Sequence, residues 1–151
     1  MTNLVIDGTT ISPTDDIYVN GVALANGKKV FFNGTEVWRK QTTASAVWTP
    51  YDGCAISAAP GYSYSFTGSN VSSIVLLNYR YGSCGGCYGA YRVTFTSPFP
   101  DTSYTVNVTT PSGVYFRNIS AKTTSYIELG WGTQTDDSYC ISGNVGINCY
   151  S

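Results

Sequence analysis

The residues best equipped for chemistry are five cysteines, Cys54, Cys84, Cys87, Cys140 and Cys149, and two acidic doublets, Asp15-Asp16 and Asp136-Asp137. Zinc is the first chemistry to weigh, because Cys84 and Cys87 have the two-residue spacing of a thiolate pair. The second pair, Cys140 and Cys149, is separated by eight residues, and the chain contains no histidine to stand in as a ligand. Structural zinc sites use tighter spacings, so neither a metal nor any other cofactor is expected. A redox-active Cys-x-x-Cys needs a helix start or a basic neighbour to depress the thiol pKa, and the glycines here provide neither.

Catalysis is poorly equipped as well. Without histidine the commonest general base is missing, and the Ser/His and Cys/His nucleophile pairs go with it. Glycoside hydrolysis needs two carboxyls facing each other across a cleft, whereas adjacent residues on a strand point to opposite faces. The acidic doublets read as turn residues, and no Gly-rich phosphate cradle precedes a helix. A non-enzymatic, binding role is therefore expected.

Sugar recognition sets flat aromatic faces against apolar ring surfaces and planar polar side chains against hydroxyls. Trp131, Asp136, Asp137 and Tyr139 supply such a set in one stretch, and Tyr81 and Tyr88 flank a glycine-rich segment that reads as a loop carrying exposed tyrosines. Tyr/Gly/Ser-rich loops also build protein-binding surfaces, so a glycan and a protein both remain open as targets.

The elements that must position these residues are strands. Charged residues are 11% of the 151-residue chain and aromatics 15%, with Gly, Ser, Thr and Asn abundant, a mixture suited to short strands and tight turns. Net charge is -1, and the largest basic clusters are Lys28-Lys29 and Arg39-Lys40, so nucleic acid is not expected as a partner. Apolar runs such as Ile74-Val75-Leu76-Leu77 are far below the roughly 20 residues of a membrane helix, so no membrane insertion is expected. Met1–Asp7 lack the features of a signal peptide, so synthesis in a cytoplasm is expected.

Residues 1–40 read as a small β-meander. Ile17-Tyr18-Val19-Asn20-Gly21-Val22 is echoed by Val30-Phe31-Phe32-Asn33-Gly34-Thr35, with Asn26-Gly27 between them. Asn-Gly suits two-residue turns whose central residues both need positive φ. Strands are expected near 17–19, 22–25, 29–32 and 35–39, burying chiefly Ile17, Val19, Val30, Phe32, Val37 and Trp38. Residues 41–46 are small and polar and read as a linker.

Beyond the linker, 47–151 read as an antiparallel β-sandwich of about seven strands, giving an all-β fold. Tyr91, Val93 and Phe95 alternate on one strand, and Tyr104, Val106 and Val108 on the next, across the turn Ser97-Pro98-Phe99-Pro100-Asp101. Tyr62, Tyr64 and Phe66 alternate on another. The run from Ile74 to Tyr79 suggests a core strand buried on both faces. Further strands are expected at 114–117, 126–131 and 140–149.

Two stretches resemble known families. Val93-Thr94-Phe95 followed by Pro98-Phe99-Pro100 and Tyr104-x-Val106-x-Val108, with a weaker likeness from Ile119 to about Val145, resembles H-type-lectin-like domains such as those at the tips of bacteriophage tail fibres. The N-terminal Val19-Asn20-Gly21 with Lys28-Lys29-Val30-Phe31-Phe32-Asn33-Gly34-Thr35-Glu36-Val37-Trp38 resembles a module of tailed-phage virion proteins. The resemblance implies a homotrimeric tail-fibre or receptor-binding protein in the virion. Val30, Phe32, Val37 and Trp38 would then attach to a phage tail or baseplate protein, and the C-terminal domain would bind a host-surface glycan or protein. A virion leaves the reducing cytoplasm at lysis, so disulfides are expected, with Cys140–Cys149 and Cys84–Cys87 the first pairs to test and one of the five cysteines left over. Buried thiols acting as small apolar residues are the alternative. A structural decoration or adaptor protein without a receptor role is the alternative function.

Overall fold

The computed structural model describes residues 3–51, 60–81, 87–111, 114–133 and 143–151; side chains are described within these ranges except at 50–51, 79–81, 87–88, 114–115 and 131–133. The described structure is all-β, with every strand pairing antiparallel and no helix. The chain divides into an N-terminal unit, Met1–Thr42 with Ser151, and a second unit, Thr43–Tyr150.

The N-terminal unit is three hairpins. They are β1 (Leu4–Ile6) with β2 (Thr9–Ile11), β3 (Tyr18–Val19) with β4 (Val22–Ala23), and β5 (Lys29–Phe32) with β6 (Thr35–Arg39). Each turns on two residues with positive φ: Asp7 (49°) and Gly8 (76°), Asn20 (50°) and Gly21 (77°), Asn33 (48°) and Gly34 (78°). Asx-Gly is the dipeptide that tolerates this geometry, and the resulting twist matches that of the flanking strands. The expected strands are present within a residue or two, but the hairpins form three separate two-stranded sheets and no continuous meander. A two-stranded sheet cannot cover both of its faces. Accordingly Trp38 is buried, Ile17, Val30 and Val37 are half-buried, and Val19 and Phe32, expected inside, stand 54% and 68% exposed. The β1–β2 hairpin was outside the expected set, although Asp7-Gly8 is its signal.

The second unit has eight strands, β7 (Thr43–Tyr51), β8 (Phe66–Ser69), β9 (Val71–Tyr81), β10 (Cys87–Phe95), β11 (Thr105–Thr109), β12 (Val114–Lys122), β13 (Tyr126–Thr133) and β14 (Gly143–Tyr150). They form two four-stranded sheets, ordered β12–β13–β10–β9 and β11–β14–β7–β8. One core joins the sheets: Ala44, Ala46, Trp48, Val145, Ile147 and Cys149 from the second sheet with Ile74, Leu76, Tyr91, Val93, Ile127 and Leu129 from the first. Trp48 and Tyr91 meet edge to face at 5.9 Å. Inward side chains alternate with outward polar ones on both sheets, the pattern of a β-sandwich.

Three expectations are corrected. Residues 43–46 are no linker, because Ala44 and Ala46 point inward and are fully buried where β7 pairs with β14. Their small size disguises a period-2 strand as a spacer, and the boundary between the units falls at Thr42/Thr43. The run from Ile74 is not buried on both faces: Ile74 and Leu76 are buried, Val75 and Leu77 only half so, because β9 ends its sheet. Finally, Tyr62–Phe66 is a corner and no single strand. Tyr64 N donates to Ile74 O (2.8 Å) in the first sheet, whereas Phe66 pairs with Trp48 in the second.

The proline-rich turn between β10 and β11 joins the expected pair of strands, but it changes sheets instead of closing a hairpin. Phe99 is buried there, stacked on Tyr104 at 4.1 Å and edge-on to Phe95 at 4.9 Å. The Tyr104 hydroxyl donates to Thr123 O at 2.7 Å. Asn70, with φ 54°, is the whole link between β8 and β9, and so between the sheets. Its Nδ2 donates to Thr43 O (3.0 Å) and Ser97 O (3.1 Å), and its Oδ1 accepts from Ser97 N (2.7 Å).

Candidate functional site

Two surfaces stand out, one in each unit. In the N-terminal unit, Val30, Phe32 and Val37 from β5 and β6 line an open apolar groove of about 590 Å³ together with Leu4, Val5, Ile6, Asp7 and Phe31. Three of the four side chains expected to attach this unit to a partner are thus brought together. Trp38 is not among them, a correction to the sequence reading. Its ring is 2% exposed and its indole Nε1 donates to Ser12 O at 3.0 Å, which pins β6 to the loop after β2. The charges nearby satisfy one another. Arg39 and Lys29 reach Glu36 at 2.9 and 3.0 Å and hold its carboxyl below the ordinary range, and Lys40 Nζ bridges Asp16 Oδ1 (2.8 Å) and two loop carbonyls.

The N-terminal unit is unusually greasy on its outside. Ten large apolar or aromatic side chains are well exposed among the described residues, and seven of them are here: Val5, Ile6, Tyr18, Val19, Val22, Phe31 and Phe32. Adjacent residues on a strand face opposite ways, so Val5-Ile6 and Phe31-Phe32 put apolar surface on both faces of their hairpins.

In the second unit most sequence-predicted site residues lie outside the described residues. Asp136, Asp137 and Tyr139 do, as do Cys54, Cys84 and Cys140; Trp131, Tyr81, Tyr88 and Cys87 have described backbones only. Tyr81 and Tyr88 are in the β9–β10 ladder and not in a loop, with Tyr81 opposite Cys87 and Tyr88 opposite Arg80. Cys149, expected as a disulfide partner, carries a free and fully buried thiol. It packs as a small apolar residue, and burial pushes its pKa up to about 12 against an opposing pull from Lys122. Among the described residues no group of three or more Cys, Asp, Glu or His is placed to hold a metal ion.

Sequence reading missed the outer face of the β11–β14–β7–β8 sheet. Register places Asn107 beside Asn148, then Ser45 and Ser69 in one row, and Thr109 beside Gly146, then Val47 and Thr67 in the next. Asn144 and Thr49 extend the face, the Thr49 hydroxyl donating to Asn144 Oδ1 at 2.6 Å. No described side chain on it is charged. Two depressions mark it: one of about 480 Å³ bounded by Tyr62, Thr49, Ser65, Thr67, Val47 and Asn144, and one of about 250 Å³ over Gly146 bounded by Asn107, Asn148, Val47 and Asn144. Val47 and Asn144 line both, so the two adjoin. Tyr62, half exposed, is braced from behind by edge-to-face contacts running to Tyr64 (5.0 Å) and from there to Tyr91 (5.8 Å).

The other sheet's outer face differs: Arg92 there bonds Glu128 at 3.0 Å and lies 4.6 Å over the Tyr126 ring. The uncharged face was legible only as alternation. Its residues are the outward positions of strands whose inward positions make the core.

No protein-family model, no curated protein and no solved structure matches the chain.

Proposed function

We propose that the chain is a receptor-binding protein of a tailed bacteriophage, attached to the virion tail or baseplate by its N-terminal hairpins and contacting the host surface through its sandwich, as a homotrimer. The observation that carries this reading is the segregation of surface chemistry. Exposed apolar side chains gather in the N-terminal unit, as an attachment module requires: of the ten large apolar or aromatic side chains well exposed among the described residues, seven lie there, against Val47, Tyr62 and Tyr150 in the sandwich. The phage-like wording of both halves of the sequence supports the same assignment. The work is binding, with no bond made or broken.

The test uses the full chain in two forms, native and Phe31→Ser/Phe32→Ser, the latter changing two exposed side chains. Gradient-purified virions from a genome carrying the native gene are expected to contain the protein, and those carrying the variant to lose at least nine-tenths of it. Labelled native protein is expected to bind the strains to which those virions adsorb, and the variant to bind them equally. Virions that lack the native protein would refute the reading. Protein present in virions but unable to bind any adsorbing strain would favour the decoration or adaptor role.

A further inference from the structure

We propose that the outer face of the β11–β14–β7–β8 sheet is a metal-independent binding site for a neutral oligosaccharide, laid from Tyr62 across Asn144 to Gly146. This rests on the receptor-binding reading and gives it a place and a ligand chemistry.

Hydroxyls and carboxamides stand around the site, over a floor that is apolar in good part. Thr49, Thr67 and Ser65 surround one depression, and Asn107, Asn144 and Asn148 surround the other. Such groups both donate and accept, as sugar hydroxyls do. Asn144 is oriented to donate. Its Oδ1 already accepts from Thr49 at 2.6 Å, which leaves the amide Nδ2 as a donor with no partner among the described residues. Tyr62 supplies the aromatic surface against which the apolar side of a pyranose packs. Its bracing by Tyr64 and Tyr91 fixes the ring in advance, lowering the ordering cost of binding.

Charge decides the class of ligand. Among the described residues, no Lys or Arg bounds either depression, so a sugar acid, a phosphate or a sulfate would be taken from water without a cation to meet it. A bridging divalent cation would need carboxylates, and among the described residues no Asp or Glu bounds them either. Size decides the length. The face crosses four strands, and three gaps of about 4.8 Å make a track of roughly 14 Å, longer than one sugar ring. Gly146 sits in that track without a side chain. A Cβ built there would meet Val47 Cγ2 at 3.6 Å and Thr109 Cβ at 3.7 Å, ordinary contacts, so a side chain would fit and no tight crossing of backbones requires the glycine.

A second copy of this chain is the competing occupant. It fits less well, since interface cores favour aromatic and aliphatic anchors, and between Thr49 and Asn107 the face offers only Val47 of that kind.

The experiment is an array of neutral and acidic bacterial oligosaccharides probed in EDTA with the full chain, followed by titration of the best ligand against Tyr62→Ala, Asn144→Ala and Gly146→Gln. Ser120→Ala, on the opposite sheet, is the control. Near-UV circular dichroism establishes that each variant keeps its packing. The expected result is binding to neutral ligands in EDTA, unchanged over about pH 5–8 because no carboxylate or amine bounds the site among the described residues. Each of the three variants should weaken it at least tenfold, and the control should not. Binding that ignores all three variants overturns the site while leaving receptor binding intact, as does binding to acidic ligands alone or only with a cation present. A blank array with cell binding retained in the variants overturns it equally. A blank array with no cell binding removes the receptor reading as well. A fall in oligomer size on sedimentation of Gly146→Gln makes the face an interface between copies and overturns the proposal.

Discussion

Asn70 is one residue long as a connection and serves two purposes. It must hold φ at 54°, and its carboxamide must tie the start of β7 to the segment just after β10 through Thr43 and Ser97. Substitution by alanine removes three hydrogen bonds. They are accessible to water, so each is taken at the low end, about 0.5–0.7 kcal/mol. Alanine also incurs about 1 kcal/mol for a left-handed backbone that asparagine tolerates. Asn70→Ala should therefore cost about 2.5–3 kcal/mol and lower the sandwich's melting temperature by roughly 10 °C. Asn70→Gly separates the two contributions, because glycine is free of the backbone penalty but makes none of the bonds; it should fall about 1 kcal/mol short of the alanine loss. Asn70→Asp keeps the acceptor for Ser97 N and turns the two donated bonds into repulsion against carbonyl oxygens, so it should be no better than alanine at neutral pH. Urea unfolding followed by tryptophan fluorescence gives all three values. A glycine variant as stable as the native chain would show that the carboxamide contacts contribute nothing and would refute the reasoning.

Two further outcomes follow from buried groups. The Cys149 thiol should resist alkylation in the native protein at pH 8 and react once urea unfolds it, as read by peptide mass mapping; modification at the rate of an exposed thiol would contradict its burial. Its pKa is raised on folding, to about 12 from an ordinary value of 9.0, so its stabilising contribution is complete below about pH 9 and is lost as pH climbs towards 12. Burial raises the Tyr104 hydroxyl too, with the same sign, and Cys149→Ala should flatten alkaline unfolding only in part. In the N-terminal unit, Trp38→Phe keeps most of the buried ring and drops the indole bond to Ser12, which should cost about 1 kcal/mol and speed amide exchange across residues 12–16 and β6; unchanged exchange there would mean the bond is idle.

The fold was legible wherever alternation ran through large side chains. Tyr91, Val93 and Phe95 declared their face, and the Asn-Gly turns declared their hairpins, because period and turn chemistry are local properties. What failed was non-local. Ala44 and Ala46 looked like spacer residues because burial of a small side chain leaves no mark in composition; only the pairing of β7 with β14 demands them. The segment Tyr62–Phe66 has a perfect strand pattern, yet Ser65 is where it leaves one sheet for the other, a choice made by partners far along the chain. Phe32 and Val19 looked like core for the N-terminal unit, but an isolated hairpin has no second layer to cover them. The uncharged face was hidden for a related reason. Thr, Ser and Asn at outward positions are ordinary one at a time, and their juxtaposition across four strands exists only once registers are set.

The pairing of β7 with β14 also has a temporal side. Thr43 lies opposite Tyr150, so the partners are about 100 residues apart in the chain. At about 5–20 residues per second, the first strand of the sandwich emerges from the ribosome roughly 5–20 s before the strand it needs. The N-terminal hairpins, whose strand pairings are all close in sequence, can close within that wait. Trp48 cannot complete its core until β14 has emerged, so the sandwich waits longer for its partners than the hairpins do.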